Sequence, residues 1–152
     1  MFEISAAVGD DLPFILEIEH EAFSPPWTHS SILSEIRNDD SFFAVLRKAA
    51  ESELLGFAVL RRIVDSGELL QIASAGHARR KGVGGALLSA VLENAKQCGL
   101  VSVFLEVRSS NDAAISFYLK HGFRPIRQRK DYYVEPVEDA VEMMLMINGA
   151  FQ

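Results

Sequence analysis

Apolar and polar residues alternate with two different periods along the chain, and this pattern predicts both strands and helices. Three segments of the first half are rich in β-branched and aromatic residues, which is typical of strands: SFFAVLRKA at 41–49, LLGFAVLRRIV at 54–64 and ELLQIAS at 68–74. The polar connections at 51–53 and 65–67 are short, which favours antiparallel neighbours.

Two helices are expected between a first strand, at 2–8, and the strands just described. The first helix begins at Asp10 or Asp11, either of which can cap it, and it ends before the prolines of SPPW, which cannot continue a helix. Thr28 can cap a short second helix that ends near RNDD at 37–40.

The clearest helical pattern follows a glycine-rich turn. Apolar residues recur there at helical spacing and would form one buried stripe: Val83, Ala86, Leu87, Ala90, Val91, Ala95 and Cys98. Gly99 is expected to end this helix. LVSVFLEVR at 100–108 is predicted as the next strand, with Glu106 on the face opposite its valines. Asn111 can cap a further helix that stops at Gly122.

Two final strands are predicted at 123–128 and 141–147, so strands and helices are mixed along the chain. We therefore expect a mixed α/β fold in a single domain over 1–152. A chain of 152 residues is long enough for one hydrophobic core, and no repeat, low-complexity tract or linker interrupts it.

Composition narrows the class of protein. Hydrophobic residues make up 49% of the chain and charged residues 24%, an ordinary balance for a soluble globular protein. No apolar run approaches the roughly 18 residues of a membrane helix, and MFEISAAVGDD lacks the features of a signal peptide. Cys98 is the only cysteine, so no internal disulfide can form. We expect a cytoplasmic protein that does not bind membranes.

The net charge is −6, which makes binding of nucleic acid through a global electrostatic field unfavourable. Positive charge is nevertheless clustered in two places, at 79–81 and at 124–130. A local basic site on an acidic protein suggests a small anionic ligand, and the acidic remainder could attract a basic partner. The four histidines show no metal-ligand spacing, so no metal is expected.

Glycines and cations coincide in HARRKGVGGALL at 77–88, between a predicted strand and a predicted helix. Free N–H groups and the helix dipole make such a turn an anion site. A P-loop requires Lys and Ser or Thr after the last glycine, but Gly85 is followed by Ala86 and Leu87. The dinucleotide fingerprint requires a third glycine at Leu87 and fails as well. The cations at 79–81 favour phosphate binding over a merely tight helix start.

Together, these segments carry a resemblance to a known family. RRKGVGGALL, preceded by LLQIAS and followed by LEVRSSNDAAISFYLKHGF, resembles the GCN5-related N-acetyltransferase (GNAT) superfamily. The second block, PPWT near residue 26 and RQRKDYY near residue 130 are similar to bacterial ribosomal-protein-alanine N-acetyltransferases. The resemblance implies a mostly antiparallel, twisted sheet of six to seven strands with about four helices. It also implies acetyl-coenzyme A (acetyl-CoA), whose pyrophosphate would be the anion at the glycines.

The resemblance further implies which residues form the site. Positions that match the family's coenzyme contacts are Ile72, Ala73, Ser74, Arg80, Lys81, Gly82, Val83, Gly84, Gly85 and Asn111. Glu106 matches the family's proton acceptor and Tyr118 its proton donor. Trp27, Tyr132 and Tyr133 match positions that line the acceptor site.

One segment departs from the family pattern. Family members often carry Val and then Asp-Pro where this chain has Ser74, Ala75 and Gly76. Backbone contacts to the coenzyme can survive the replacement of Val by Ser, but the resemblance does not define the path of the following loop, through Gly76 and His77.

The expected reaction, attack of an amine on a thioester, explains the residue types at positions 106 and 118. An amine must be neutral to attack a thioester, and an α-amine has a pKa of roughly 7.7–8.0, against about 10.4 for lysine. Glu106 can take that proton, directly or through water. The thiol pKa of about 8.5 lies below that of tyrosine, about 10, so Tyr118 is expected to donate a hydrogen bond rather than a proton. Cys98 ends a predicted helix, where the dipole disfavours a thiolate, so an acetyl-cysteine route is not expected.

We expect an enzyme that moves acetyl from acetyl-CoA to the N-terminal amine of a protein, an alanine on a small-subunit ribosomal protein. Two alternatives stay open: the same fold acting on a small amine such as a polyamine or amino acid, and a non-catalytic acyl-CoA sensor. Glu106 and Tyr118 disfavour the sensor, because binding alone does not need them.

Overall fold

Seven strands form one sheet in the computed structural model, which describes residues 1–49 and 51–147. The sheet order is β1-β2-β3-β4-β5-β7-β6. The strands are β1 (Phe2–Ala6), β2 (Ser41–Lys48), β3 (Leu54–Ile63), β4 (Ser66–Ser74), β5 (Ser102–Arg108), β6 (Arg124–Val134) and β7 (Val137–Met146). The helices are α1 (Leu12–Ala22), α2 (His29–Arg37), α3 (Val83–Gln97) and α4 (Asp112–Lys120). The predicted mixed, mostly antiparallel α/β fold is confirmed. No described helix is long and apolar enough to cross a membrane.

The predicted ends of three helices agree with the structure. The side-chain oxygens of Thr28 and Asn111 accept hydrogen bonds from the N–H groups three residues later, at 3.1 and 3.2 Å. Gly99 and Gly122 follow the ends of α3 and α4 with φ angles of +73° and +96°. Left-handed backbone of this kind stops a helix and is least costly for glycine.

The predicted side-chain cap of α1 is wrong, because its hydrogen bond does not form. Asp11 occupies the residue before α1, but its side chain makes no capping bond to this helix. Its carboxylate instead accepts the Val8 N–H at 2.9 Å and contacts Arg47 Nη2 at 2.8 Å. A short 3-10 turn at Gly9–Asp11 precedes α1, and Asp11 closes that turn rather than the helix.

The last two strands are longer than the predicted segments at 123–128 and 141–147. They form a hairpin, which we call the β6–β7 hairpin, that continues to Val134 and Val137. Asp131 has a φ of +52°, and its N–H donates to Asp139 at 2.9 Å, within a register shift of β6. This irregularity removes the period-2 pattern from RKDYY, so cross-strand pairing rather than local sequence holds this part of β6.

The two central strands, β4 and β5, are parallel and pair over only three positions, Ser66–Glu68 with Ser102–Phe104. On its other side β4 contains an extra residue, Leu70, between two residues that pair with β3, and such a bulge bends a strand. Beyond the paired residues the two strands separate. We call the space between residues 69–74 of β4 and 105–108 of β5 the opening.

Helices cover both faces of the sheet around the opening. Gln71 of β4 donates to Glu19 of α1 at 2.9 Å, which places α1 on one face. On the other face, a Cβ at Gly56 of β3 would lie 2.6 Å from the Ala73 oxygen and 2.7 Å from a methyl group of Val83. Only glycine permits this close approach, which brings the first turn of α3 against the strands beside the opening.

Candidate active site

Three carboxylates from three strands lie on the face of the sheet that α1 covers. Glu106 of β5 is directly opposite Glu142 of β7. Glu68 of β4 is opposite Phe104, two positions from Glu106 on β5. Residues two apart in a strand share a face, so these carboxylates form one cluster beside the opening.

Two arginines of β6 accompany this cluster. Arg127 Nε donates to Glu142 Oε1 at 2.7 Å, and Arg129 Nη2 lies 3.8 Å from the second oxygen of Glu142. Arg129 Nε also lies 4.0 Å from Glu106 Oε1. The register of β6 against β7 therefore places Arg127 and Arg129 where they neutralise carboxylates. These two arginines are not part of the basic site that the cluster at 124–130 suggested.

The environment of Glu106 changes its acidity. Burial raises the pKa of Glu106 most, the neighbouring charges of Glu68 and Glu142 raise it further, and Arg129 opposes them, so that the pKa is about 7. The side chain of Glu106 is 9% exposed. A carboxylate with such a pKa is present in both forms near neutral pH, as a general base for an amine requires.

Tyr118 of α4 is largely buried. Its ring packs edge-on against Phe117 and Phe123, with centroid distances of 5.3 and 5.6 Å. Burial raises the pKa of Tyr118 above its ordinary value, and Tyr133 adds to the shift. Loss of its proton is therefore harder than for a free tyrosine, which leaves donation of a hydrogen bond as the available chemistry.

The loop before α3 has the geometry of an anion site. Arg80 and Gly82 have φ angles of +64° and +85°, so the chain turns sharply there. Gly82 is the residue before α3 and has no side chain to cap the first-turn N–H groups. Arg80 and Lys81 are exposed, whereas Val83 is buried against the sheet. Exposed cations beside an uncapped helix N-terminus fit a pyrophosphate group.

The next residues bring α3 close to α4. A Cβ at Gly84 would lie 3.5 Å from the Phe117 ring, and one at Gly85 would lie 3.8 Å from His121. These two glycines therefore keep the beginning of α3 free of side chains where it faces α4.

The predicted coenzyme positions of β4 border the opening. Ile72, Ala73 and Ser74 pair with β3 on one side and lie beyond the three residues that pair with β5 on the other. Asn111, by contrast, uses its side-chain oxygen to cap α4. The backbone groups of 72–74 that point into the opening fit an extended ligand with amide groups.

The departure from the family pattern at Gly76 has a structural counterpart. The Gly76 N–H donates to Glu21 Oε1 of α1 at 2.5 Å. Proline, which family members often carry here, has no N–H to donate. Glu21 thus ties the end of α1 to the segment that leads into the glycine loop.

The predicted acceptor residues belong to two separate segments. The Trp27 N–H donates at 2.9 Å to the buried carboxylate of Glu19, which also accepts from Gln71. Tyr132 and Tyr133 lie in β6, with ring centroids 5.0 Å apart. Glu106 contributes to the raised pKa values of both tyrosines, which places them near the carboxylate cluster.

Several site residues were not predicted from the sequence. Glu68, Glu142 and Arg129 set the charge around Glu106, and Arg108 bridges two segments. The sequence contains a signal for two of these residues: Glu142 interrupts the apolar run VEMMLM, and Arg108 follows Glu106 at strand spacing. Within residues 1–49 and 51–147, no group of three or more His, Cys, Asp or Glu side chains is placed to hold a metal ion.

Comparison with known proteins identifies the class. The model of the acetyltransferase (GNAT) family matches residues 12–123, and the chain belongs to this family. The protein is an acetyl-CoA-dependent N-acetyltransferase, and acetyl-CoA is its cosubstrate.

Individual relatives extend the match to nearly the whole chain. The chain is 32% identical over 150 residues to the [ribosomal protein bS18]-alanine N-acetyltransferase of Salmonella typhimurium strain LT2, covering 97% of this chain and 99% of the relative. The crystal structure of the ribosomal-protein-S18-alanine N-acetyltransferase from Escherichia coli is similar with a TM-score of 0.86 and 32% identity, covering 97% and 94% of the two chains. The structure of Ard1 from Thermoplasma volcanium is similar with a TM-score of 0.89 and 29% identity, covering 96% and 97%.

The carboxylate cluster generates a prediction about acidity. In a carbon-detected NMR titration, the Glu106 carboxyl group should titrate with a midpoint near 7. Glu68→Gln should lower this midpoint, because it removes a negative charge that opposes ionisation of Glu106. Glu93→Gln, at an exposed position of α3, is the control and should leave the midpoint unchanged. A Glu106 midpoint near 4.5 in the parent protein would contradict the predicted environment.

Proposed function

We propose that this enzyme acetylates the α-amine of an N-terminal alanine on a small-subunit ribosomal protein. The observation that carries the proposal is the half-buried Glu106, whose pKa of about 7 suits it to take a proton from an α-amine. The names of the Salmonella and Escherichia coli relatives, which cover nearly the whole chain, support the choice of acceptor. A ribosomal substrate would also place the enzyme in the cytoplasm.

Glu106 is the proposed general base. An α-amine with a pKa of roughly 7.7–8.0 loses its proton to a group of pKa about 7 at little cost, directly or through one water molecule. The neutral amine attacks the thioester carbonyl of acetyl-CoA, and the thiolate of CoA leaves. Glu68 and Glu142 raise the pKa of Glu106 and Arg129 lowers it, which leaves the pKa near neutral pH. At such a pKa, Glu106 can accept a proton and release it to solvent in each turnover.

Tyr118 is the proposed partner of the leaving sulfur. Its raised pKa makes a hydrogen bond to the developing thiolate the favoured contribution, and the thiolate then gains its proton from solvent or from the acetylated nitrogen. Because Tyr118 packs between Phe117 and Phe123, its ring is fixed before the substrates bind. A fixed donor loses little conformational entropy when it acts.

The loop and strand beside the opening are the proposed coenzyme site. Arg80, Lys81 and the N–H groups at the start of α3 would hold the pyrophosphate. The backbone of 72–74 would bond the amides of the pantetheine arm, which directs the thioester along the opening towards Glu106. Asn111 borders the same ligand as the cap of α4.

The first functional prediction concerns the base. Glu106→Gln should keep the affinity for acetyl-CoA and lose turnover near neutral pH by roughly 10²–10⁴-fold, the usual contribution of a general base. Raising the pH should partly restore the variant, because more of the amine is then already neutral. Steady-state kinetics between pH 6.5 and 9 measure both effects, with Glu93→Gln as the matched control. A Glu106→Gln enzyme that turns over like the parent at pH 7 would show that the base lies elsewhere.

The second functional prediction concerns the acceptor. Glu17 and Glu21 on α1 and Glu135 in the β6–β7 hairpin are exposed, whereas Glu138 and Glu142 are already paired with arginines. The exposed carboxylates should attract a basic peptide, and salt should screen that attraction over a Debye length of about 8 Å. A peptide with N-terminal alanine followed by basic residues should therefore have a higher kcat/KM than one with acidic residues, and the difference should shrink as salt rises.

Mass spectrometry of the products decides between acceptors. The acetyl group should lie on the α-amine rather than on a lysine side chain, because lysine has far less neutral amine at pH 7. Free spermidine, alaninamide and the two peptides can be compared in one competition experiment. Predominant labelling of lysine, or spermidine outcompeting every peptide, would instead assign the enzyme to lysine or small-amine acetylation.

A further inference from the structure

Arg108 ends β5 two residues after Glu106, on the same face of the sheet. Two residues of a strand span about 7 Å, so Arg108 lies one step along the strand from the proposed base. Its side chain is 22% exposed. The guanidinium has five N–H donors in a planar arrangement, and the chain itself uses several of them.

Most contacts of Arg108 are with the β6–β7 hairpin. Its Nη1 donates to the Pro136 oxygen at 2.9 Å, and its Nη2 donates to the Glu135 oxygen at 3.0 Å. The same Nη1 lies 3.3 Å from Glu138 Oε1. The guanidinium carbon is 4.3 Å from the centre of the Tyr133 ring, a cation–π distance. Arg108 thus binds the turn of the hairpin, the strand after it and the aromatic residue before it.

A further contact reaches the other predicted acceptor segment. Arg108 Nη2 also lies 3.4 Å from the Ser24 oxygen, in the segment 24–27 between α1 and α2. Trp27, at the end of this segment, is held by the buried Glu19. One guanidinium therefore connects the segment that carries Trp27 with the hairpin that carries Tyr133.

Glu138 connects the same network to α4. It accepts the Ser110 N–H at 2.7 Å, directly before Asn111. Hydrogen bonds from Ser110 lower the pKa of Glu138, and Arg108 lowers it further, so that the carboxylate is charged at neutral pH. Arg108 therefore has a permanent ionic partner in the hairpin.

We propose that Arg108 is a positioning residue that holds the segment 24–27 and the β6–β7 hairpin in one arrangement, and that it thereby selects an extended peptide as acceptor. This inference rests on the proposed function. We assign Arg108 to positioning rather than to catalysis, because four of its five N–H donors contact carbonyl and carboxylate oxygens of the chain. Lysine cannot replace it, since a single ammonium group cannot bond several carbonyls in one plane and stack on Tyr133 at the same time.

The proposal predicts that loss of Arg108 affects long and short acceptors differently. A peptide contacts both segments with the residues that follow its N-terminus, and it therefore depends on their relative position. Alaninamide has no such residues and needs only the base and the thioester. Loss of Arg108 should thus weaken peptide binding and leave the reaction of alaninamide unchanged.

The test compares Arg108→Gln and Arg108→Lys with the parent and with Arg62→Gln. Arg62 is a matched control, because it also donates to a backbone oxygen, that of Asp39 at 2.9 Å, and it contacts Asp40 away from the site. Both Arg108 variants should raise the KM of the alanine peptide by about tenfold or more and change kcat by less than roughly threefold. The kcat/KM of alaninamide and the affinity for acetyl-CoA, measured by calorimetry, should match those of the parent.

Hydrogen exchange provides a readout that does not need activity. The amides of Ser24 and Trp27, and those of 132–138 other than Pro136, should exchange faster in both Arg108 variants and at the parent rate in Arg62→Gln. An unchanged peptide KM with unchanged exchange overturns the proposal, and so does an equal loss of kcat for peptide and alaninamide. If the parent acetylates no peptide, the proposed function fails, and exchange alone then decides whether Arg108 positions the two segments.

Discussion

The parallel pairing between β4 and β5 stops after three residue pairs, and the proposed position of the substrates depends on this break. Every other neighbouring pair of strands in the sheet is antiparallel and pairs over five or more positions. The extra residue Leu70 bends β4, which stays paired with β3 on one side, so the backbone groups of 69–74 on the other side face the opening instead of a strand. Backbone N–H and C=O groups require partners, and an extended ligand with amide groups can supply them.

Close packing behind the sheet puts the proposed anion site beside the opening. Gly56 lets Val83 approach the backbone of β3 and β4, which brings the first turn of α3 to the edge of the opening. The left-handed backbone of Gly82 then turns the chain into α3 directly after the exposed cations Arg80 and Lys81. On the other face, the strand register gathers Glu68, Glu106 and Glu142. In the proposed site, coenzyme and proton acceptor would therefore meet at one gap in the sheet.

Much of this fold could be predicted from the sequence, because its signals are local. The caps at Thr28 and Asn111, the stop at Gly99 and the apolar stripe of α3 each depend on residues within a few positions of one another. The glycine loop and the position of Glu106 also belong to contiguous motifs, so a resemblance could identify them. The family and the use of acetyl-CoA followed from these same segments.

The remaining features depend on pairing between distant segments. The length of the β6–β7 hairpin is set by its register across an irregularity at Asp131, which leaves no period in the sequence. Asp11 bonds Arg47, 36 residues away, instead of capping α1. The bridging role of Arg108 needs Ser24 and Glu135 to be neighbours in space, and no local pattern indicates that they are. Long-range contacts of this kind also adjust the acidity of Glu106.

The central claim is that acetyl-CoA binds at the opening with its pyrophosphate at the beginning of α3. Isothermal titration calorimetry with acetyl-CoA on Gly84→Val and on Gly9→Val tests it most directly. A side chain at Gly84 would project from the first turn of α3, where the pyrophosphate is proposed to bind and where a Cβ would already lie 3.5 Å from the Phe117 ring, whereas a Cβ at Gly9 has no atom within 4 Å. Gly84→Val should bind about tenfold more weakly or worse, equivalent to roughly 1.4 kcal/mol, and Gly9→Val should bind like the parent. A folded Gly84→Val protein with unchanged affinity would contradict the claim.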